Sequence, residues 1–395
     1  RGLKLWAVHS KTGGKGKVEE RLEHARSTLV GEGHRHAVIL TTHDAIMGSD
    51  LSAFAGWHAR IDEAPAAVQA GSFNIREVRS ALKERFALHT NEGHEWASLT
   101  LKGAKPSWKT LQGTLGAKEL VEFYKQADRP ARVFVRTPDW DAVDDIDWYS
   151  MWTPLELARF ASVQIAGSSY TTSVGYLGAQ ALFDDLLDFN EREVAVVRTR
   201  QPSITIHYFT DSHRGSTTFW GTSDGRHQIK LVCDHLAKTL PKASFWSGNT
   251  VVQNLMEHRL KGDLIKASAA GLNKHRRRQH CAIIFSGKAT IDDAGMMRVF
   301  GLTKTDIERA REDELIAQFA MRGAIRNLDF DGAYDIHVYE KGQAERLKAH
   351  FGTLLFDSVE LKPVDAAGLM KVRRKSDGPT EDEKAHIKAN RNKKA

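Results

Sequence analysis

The sequence predicts an α/β protein of two parallel-sheet domains, the first interrupted by an α+β insertion. Two observations carry this prediction. Short apolar runs with strand character alternate with helical patterns over 1–62 and again over 228–363, and strands separated by helices read as crossover units of a parallel sheet. Between about 66 and 160 that alternation lapses, which marks an insertion. At 395 residues with 41% apolar content, the chain is long enough for two or three cores.

The first domain is expected to span 1–210. It opens on the strand "LKLWAVHS" (3–10), followed by the helix "KVEERLEHARSTLV" (17–30) and the strand "HAVILTTHDAI" (36–46). A further strand ends at Asp62, with Trp57, Ala59 and Ile61 on one side and His58 and Arg60 on the other. Ligands gather at the carboxyl ends of parallel strands, which singles out Ser10, Thr42, His43, Asp62 and Glu63. In the insertion, "IREVRSALKERFALH" (75–89) and "AKELVEFYKQA" (117–127) read as helices, "RVFVRT" (132–137) as a strand and the acidic "DWDAVDDIDW" (139–148) as a loop. The strand "FASVQIAGSS" (160–169) returns to the sheet.

The stretch 211–227, "DSHRGSTTFWGTSDGRH", is dense in Ser, Thr and Gly and reads as an interdomain linker. The second domain, 228–363, alternates again: strands at "ASFWSG", "DLIKASA", "CAIIFSG" and "YDIHVYE", and helices at "IKLVCDHLAKTL", "VVQNLMEHRLK", "DELIAQFAMRGAIRN" (313–327) and "QAERLKAHF". The remaining 364–395 is a charged, basic tail expected to be disordered.

Lys and Arg total 57 against 50 for Asp and Glu, a net charge of +7 that favours a polyanionic partner without demanding one. Two cysteines, Cys233 and Cys281, are too few for a disulfide framework or a zinc site, so a reducing, cytoplasmic setting is expected. No apolar run reaches the roughly 18 residues of a membrane span. The chain starts at Arg1 and moves at once into a strand, which reads as a cut edge.

Three groups of residues have chemical potential. Asp62 and Glu63 stand together at a strand end, where an aspartate holds magnesium through water and a neighbouring glutamate polarises an attacking water; a solvated strand end is the plainer alternative. Gln318, Arg322 and Arg326 are spaced by four, so on a continuous helix they drift only about 40° per step and share one face. The loop "NKHRRRQH" (273–280) concentrates Lys274, Arg276, Arg277 and Arg278, enough cations to neutralise several phosphates. A phosphate-binding loop needs Gly-Lys followed by Ser or Thr. Gly-Lys occurs at 14–15, 16–17 and 287–288 and is never so followed.

The order of these groups resembles the DEAD/DEAH-type helicases of superfamily 2, of phage or plasmid character. "AVILTTHDAI" followed by "GWHARIDEAP" is similar to that family's strand before its magnesium-binding strand and to that strand itself. "KLWAVHSKTGGKGKVEERL" resembles its segment that touches the nucleic-acid backbone, "FASVQIAGSSY" a degenerate form of its coupling motif, "IKASAAGLNKHR" a later strand and loop, and "QFAMRGAIR" its final glutamine-arginine motif, with the two arginines four residues apart instead of three.

The resemblance implies two RecA-like P-loop NTPase domains using ATP and magnesium on nucleic acid, DNA sooner than RNA. Asp62 would hold magnesium with Glu63 beside it, Gln318, Arg322 and Arg326 would face the γ-phosphate, and Ser168 would couple hydrolysis to movement. Ser10, Lys11, Thr42, His43, Lys274, Arg276, Arg277 and Arg278 would contact nucleic acid. It also implies an N-terminal truncation that removes the phosphate loop, so that ATPase activity of this chain alone is expected to be weak or absent. Two competing readings remain: a phage-type DNA-packaging ATPase, and a non-catalytic nucleic-acid-binding protein on a degenerate ATPase core.

Overall fold

A computed structural model of the chain describes residues 3–9, 17–34, 36–74, 79–90, 95–103, 123–124, 126–127, 132–142, 145–167, 169–192, 197–268 and 274–364. The chain divides into two units, 1–192 with 289–310, and 193–288 with 311–395. The division falls ahead of the linker expected at 211–227. The strand Ser203–Thr210 is the reason, because it pairs within the second sheet and commits the chain to the second unit before that stretch begins.

In the first unit, β1 (Lys4–Val8) and β2 (Ala37–Thr41) pair in parallel across the helix Val18–Gly31. That helix buries Leu22, Ala25 and Leu29, a spacing of three and four that brings them to one face. Likewise β3 (His58–Asp62) pairs in parallel with β9 (Ser162–Ala166). One core that includes Val8, Leu22, Ala59, Ile61 and Trp152 serves both pairs. The strands are parallel as expected; among the described residues they form two pairs and not one continuous ladder.

The connection from β3 to β9 carries a five-stranded antiparallel sheet. Its strands are β4 (Val68–Asn74), β5 (Phe86–Thr90), β6 (Trp96–Leu101), β7 (Arg132–Arg136) and β8 (Asp145–Met151), in the order β4-β8-β7-β6-β5. One face buries Phe73, Val133, Val135, Ile146 and Trp148. The other buries Phe134, Tyr149 and Met151 against Phe183 and against Met296, Val299 and Phe300 of the returning segment 289–310.

Two expectations are corrected in this insertion. The acidic stretch 139–148 is no loop: it holds most of the helix Thr137–Ala142 and the first half of β8. Ile146 and Trp148 alternate there with Asp145 and Asp147, and period-two alternation outweighs acidity. The helix expected over 75–89 ends at Arg85, and Phe86 to Thr90 pair with β6 instead. Of 117–127, Phe123, Tyr124, Gln126 and Ala127 are helical and the rest lies outside the described residues.

The second unit is a six-stranded, all-parallel sheet. Its strands are β10 (Ser203–Thr210), β11 (Ser244–Gly248), β12 (Asp263–Leu264), β13 (His280–Ile284), β14 (Ala333–Glu340) and β15 (Ser358–Pro363), in the order β12-β11-β13-β14-β10-β15. Parallel strands are stable only when both faces are covered, and both are. The helices Glu314–Ala320 and Lys341–Thr353 pack with Ile206, Phe245, Cys281 and Ile336 on one face. Ser223–Thr239 and Thr250–Met256 pack with Phe209, Trp246, Ala282 and Tyr339 on the other.

Polar residues interrupt the second of these faces. Asp335 on β14 pairs with His207 Nε2 at 2.9 Å and His280 Nδ1 at 3.3 Å, while His337 stacks on His207 with ring centres 4.5 Å apart. The His207 contact holds the Asp335 carboxyl below its ordinary range against the opposing effect of burial. Burial first, then the neighbouring His207 and His235, pushes His337 down to about 3.

The unfolded chain binds the His337 proton near the ordinary value of 6.5 and the folded chain does not. The stability this contributes is therefore complete above that value and is lost as pH falls from there toward 3. His337→Leu is expected to lower the acid-unfolding midpoint of the second sheet by about half a pH unit or more, read by hydrogen exchange of its peptides; an unmoved midpoint contradicts the assignment.

Candidate functional site

The carboxyl ends of the parallel strands are where the geometry is built. β3 alternates His58, Arg60 and Asp62 outward with Ala59 and Ile61 inward. On the outward face Ser162 Oγ lies 2.8 Å from His58 Nδ1 and accepts from Arg60 Nη1 at 3.0 Å. Asp62 stands opposite Ala166 in the register. Glu63 follows with φ of 66°, the left-handed region that costs a non-glycine residue roughly 1–2 kcal/mol. Its N–H donates to Ala166 O at 2.7 Å. Asp62 and Glu63 are both exposed, so two neighbouring carboxylates emerge at one strand end in a fixed turn.

Thr42 follows β2 and caps the helix His43–Gly48, its hydroxyl accepting from Ala45 N at 3.3 Å. His43 is the first residue of that helix and is half-buried. Ser10, Lys11 and Ser168 lie outside the described residues.

In the second unit the glutamine-arginine group is not a helix face. The helix ends at Ala320, and the reason lies in two distant partners. Tyr334 Oη donates to Ala320 O at 2.7 Å, the carbonyl that Ala324 would use in a continuing helix, and Ala324 N donates instead to Arg278 O at 2.8 Å. A Cβ on Gly323 would stand 2.1 Å from Tyr334 Oη, so only glycine fits. Within the helix Gln318 donates to Glu314 at 2.6 Å; beyond its end Arg322 is buried and donates to Ala267 O at 3.4 Å, and Arg326 is exposed in the short turn Ala324–Arg326.

The basic loop also separates into two kinds of cation. Arg278 donates to Lys242 O at 3.0 Å and Ser244 O at 3.2 Å and pairs with Asp263 at 3.1 Å. Lys274, Arg276 and Arg277 are exposed, with only Lys274 near Asp263, at 4.0 Å. His275 beside them is fully buried, against Phe245, and burial, followed by Lys274, lowers its pKa.

Where β10 and β14 lie side by side their connections leave over opposite faces, a switch point of the kind that forms ligand crevices. An ionic network stands at the carboxyl end of β14. Lys288 Nζ lies 3.3 Å from both oxygens of fully buried Glu312 and pairs with Glu340 at the end of β14. Gly287 N donates to Glu312 at 2.9 Å and Arg346 Nη2 at 3.1 Å. Burial pushes the Glu340 carboxyl up although Lys288 pulls it down. Nearby, His213 Nε2 and Tyr339 Oη share a hydrogen bond of 2.8 Å.

Breaking such a network costs about 3–5 kcal/mol, so a ligand is not expected to displace it. Lys288 is marked in the sequence only by a Gly-Lys without a following hydroxyl; its acidic partners come from β14 and from beyond the returning segment, and no local signal names them.

No protein-family model matches the chain, and no curated protein does. Two solved structures similar to it are titled XPD_APO and XPD_Helicase. The first has a TM-score of 0.46 at 11% identity, covering 91% of this chain and 92% of that one. The second has a TM-score of 0.43 at 10% identity, covering 90% and 80%. Among the described residues no helix is long and apolar enough to cross a membrane.

Arg278→Ala removes two hydrogen bonds to carbonyls and an ion pair and is expected to destabilise the second unit by about 1–3 kcal/mol, whereas Arg276→Ala and Arg277→Ala should stay within about 0.5 kcal/mol. Urea unfolding of the three variants checks this, and equal losses in all three contradict it.

Proposed function

We propose that the chain is the core of an ATP-dependent nucleic-acid helicase or translocase, with two RecA-like domains. The observation that carries the reading is the Asp62–Glu63 turn, which offers two exposed carboxylates at the end of a parallel strand. Carboxylate oxygens are the donors magnesium takes. Asp62 is the residue that would hold the ion through water, and the bound ion would neutralise charge on the transferring phosphoryl group. Glu63, one residue on and turned by its left-handed backbone, orients and polarises the attacking water.

In the second unit the proposal assigns the phosphate to Arg326, which is exposed, while Arg322 and Gln318 support the loop and helix around them. Arg276 and Arg277, with Lys274, form the nucleic-acid contact. Arg278 is withdrawn from that role by its carbonyl and carboxylate partners. Thr42 keeps a structural role as a cap, and His43 beside it faces the nucleic acid in this reading. The roles of Ser10, Lys11 and Ser168 rest on the sequence resemblance alone, as does DNA over RNA, and the cytoplasmic setting rests on the cysteine count. A second reading, nucleic-acid binding without turnover, is favoured by one observation: residues 1–395 contain no Gly-Lys followed by Ser or Thr.

Hydrolysis of Mg-ATP, measured with and without single-stranded DNA or RNA, tests the proposal. Stimulated turnover is expected to fall about 100-fold or more in Glu63→Gln, with nucleic-acid affinity retained. Binding with no turnover supports the second reading, and absence of both sinks the first. Replacing Arg276 and Arg277 together by alanine is expected to lower affinity at low salt and to reduce the slope of log K against log salt by about 2. A slope equal to that of the unaltered chain removes the loop from the interface.

A further inference from the structure

We infer that Gly167, at the end of β9, is a positioning residue for the Glu63 carboxylate, acting through the backbone of the Asp62–Glu63 turn. The inference rests on the proposed metal and water roles of Asp62 and Glu63 and adds what holds them in place.

Glu63 is one of two non-glycine residues with positive φ among the described residues. A turn that needs only its backbone takes glycine or asparagine at such a position. Glutamate adopts it at a cost of roughly 1–2 kcal/mol, so the conformation is imposed from outside. Two neighbours impose it. Pro65 disfavours helical geometry at Ala64, so the change of direction after β3 falls on Glu63. From the other side, the Glu63 N–H is held by Ala166 O at 2.7 Å, an extension of the β3–β9 ladder by one residue beyond Asp62 and Ala166.

Gly167 completes the clamp. Its φ lies outside the left-handed region, so its own backbone does not require glycine; what a side chain would crowd there, by a few tenths of an ångström, is the backbone of the turn. A Cβ built there would stand 3.2 Å from Ala64 N, 3.5 Å from Glu63 C and 3.6 Å from Glu63 Cα. All three neighbours are backbone atoms, which cannot rotate away as a side-chain tip can. Added volume at 167 therefore pushes directly on the peptide that orients Glu63. Backbone held in a sparsely populated region persists only where its surroundings over-determine it. Loosening either neighbour lets Glu63 relax toward negative φ and carries its carboxylate away from that of Asp62, which remains in the β3 ladder.

Two variants, Gly167→Ala and Pro65→Ala, test the clamp by backbone NMR with Mn²⁺ alone as the probe. In the unaltered protein the Glu63 amide is expected to be protected from exchange, and Mn²⁺ is expected to broaden the Asp62 and Glu63 signals together. In each variant Glu63 should lose protection by about tenfold or more and Mn²⁺ should bind several-fold more weakly, read by titrating the broadening at Asp62, while Ile61 and Val163 keep their protection. If Gly167→Ala does not fold, Pro65→Ala alone decides. An unprotected Glu63 amide in the unaltered protein, or variants that leave Glu63 protection and Mn²⁺ affinity unchanged, overturns the inference. Mn²⁺ broadening at neither Asp62 nor Glu63 in the unaltered protein overturns the metal reading itself and is distinguishable, because the loss of Glu63 protection in the variants is read without any ion.

Discussion

Parallel pairing is the constraint from which the architecture follows. Neighbouring strands that run the same way cannot be joined by a tight turn, so each connection crosses over a face and every loop after a strand opens at the same end. In the second unit the crossovers cover both faces of the sheet. In the first, the only requirement on the connection from β3 to β9 is that the chain return with Ser162 beside His58. A whole antiparallel sheet fits within that freedom. The same constraint collects Thr42, Asp62, Glu63 and Gly167 at the carboxyl ends of strands, where residues far apart in sequence act on one another.

Elements whose identity depends on local pattern were legible in the sequence. Ala59 and Ile61 against His58, Arg60 and Asp62 mark β3 and the face its carboxylate takes. Features decided by a distant partner were not. The helix expected over 313–327 has unbroken helical composition up to Gly323, and what stops it is the Tyr334 hydroxyl on one carbonyl and the Arg278 carbonyl on one amide. In the same way "KHRRR" reads as four equivalent cations, Lys274 and Arg276 to Arg278, yet Arg278 is committed to the carbonyls of Lys242 and Ser244. The Asp62–Glu63 pair was legible as residue types; the left-handed turn that separates their directions was not, because Pro65 restricts it only locally and its other constraint, Ala166 O on the Glu63 N–H, comes about a hundred residues later.

The two units treat their strand ends in opposite ways. At the second sheet's switch point, Lys288, Glu312, Glu340 and Arg346 satisfy one another. Buried ion pairs contribute little net stability, because the desolvation of each ion offsets most of the attraction. Their consequence is specificity of arrangement: Lys288 stands at the last residue before the excursion 289–310, and Glu312 follows its return. Pairing these two fixes the point where the chain leaves and re-enters the unit. Among the described residues the Asp62 and Glu63 carboxylates have no such internal partner, and they stay exposed.

That excursion also determines when the first unit is complete. The antiparallel sheet buries Phe134, Tyr149 and Met151 on its second face only when Met296, Val299 and Phe300 are in place, so the face between β3 and β9 waits for residues from the second half of the chain. The second sheet waits as well, since its strand β10 lies between β14 and β15, the last two strands in sequence. Both units thus close through contacts of large sequence separation, which slow folding by the entropy of closing long loops. A division of the chain at the middle of its sequence would leave neither core intact, and the order of strands, more than their number, is what makes the two units one folding problem.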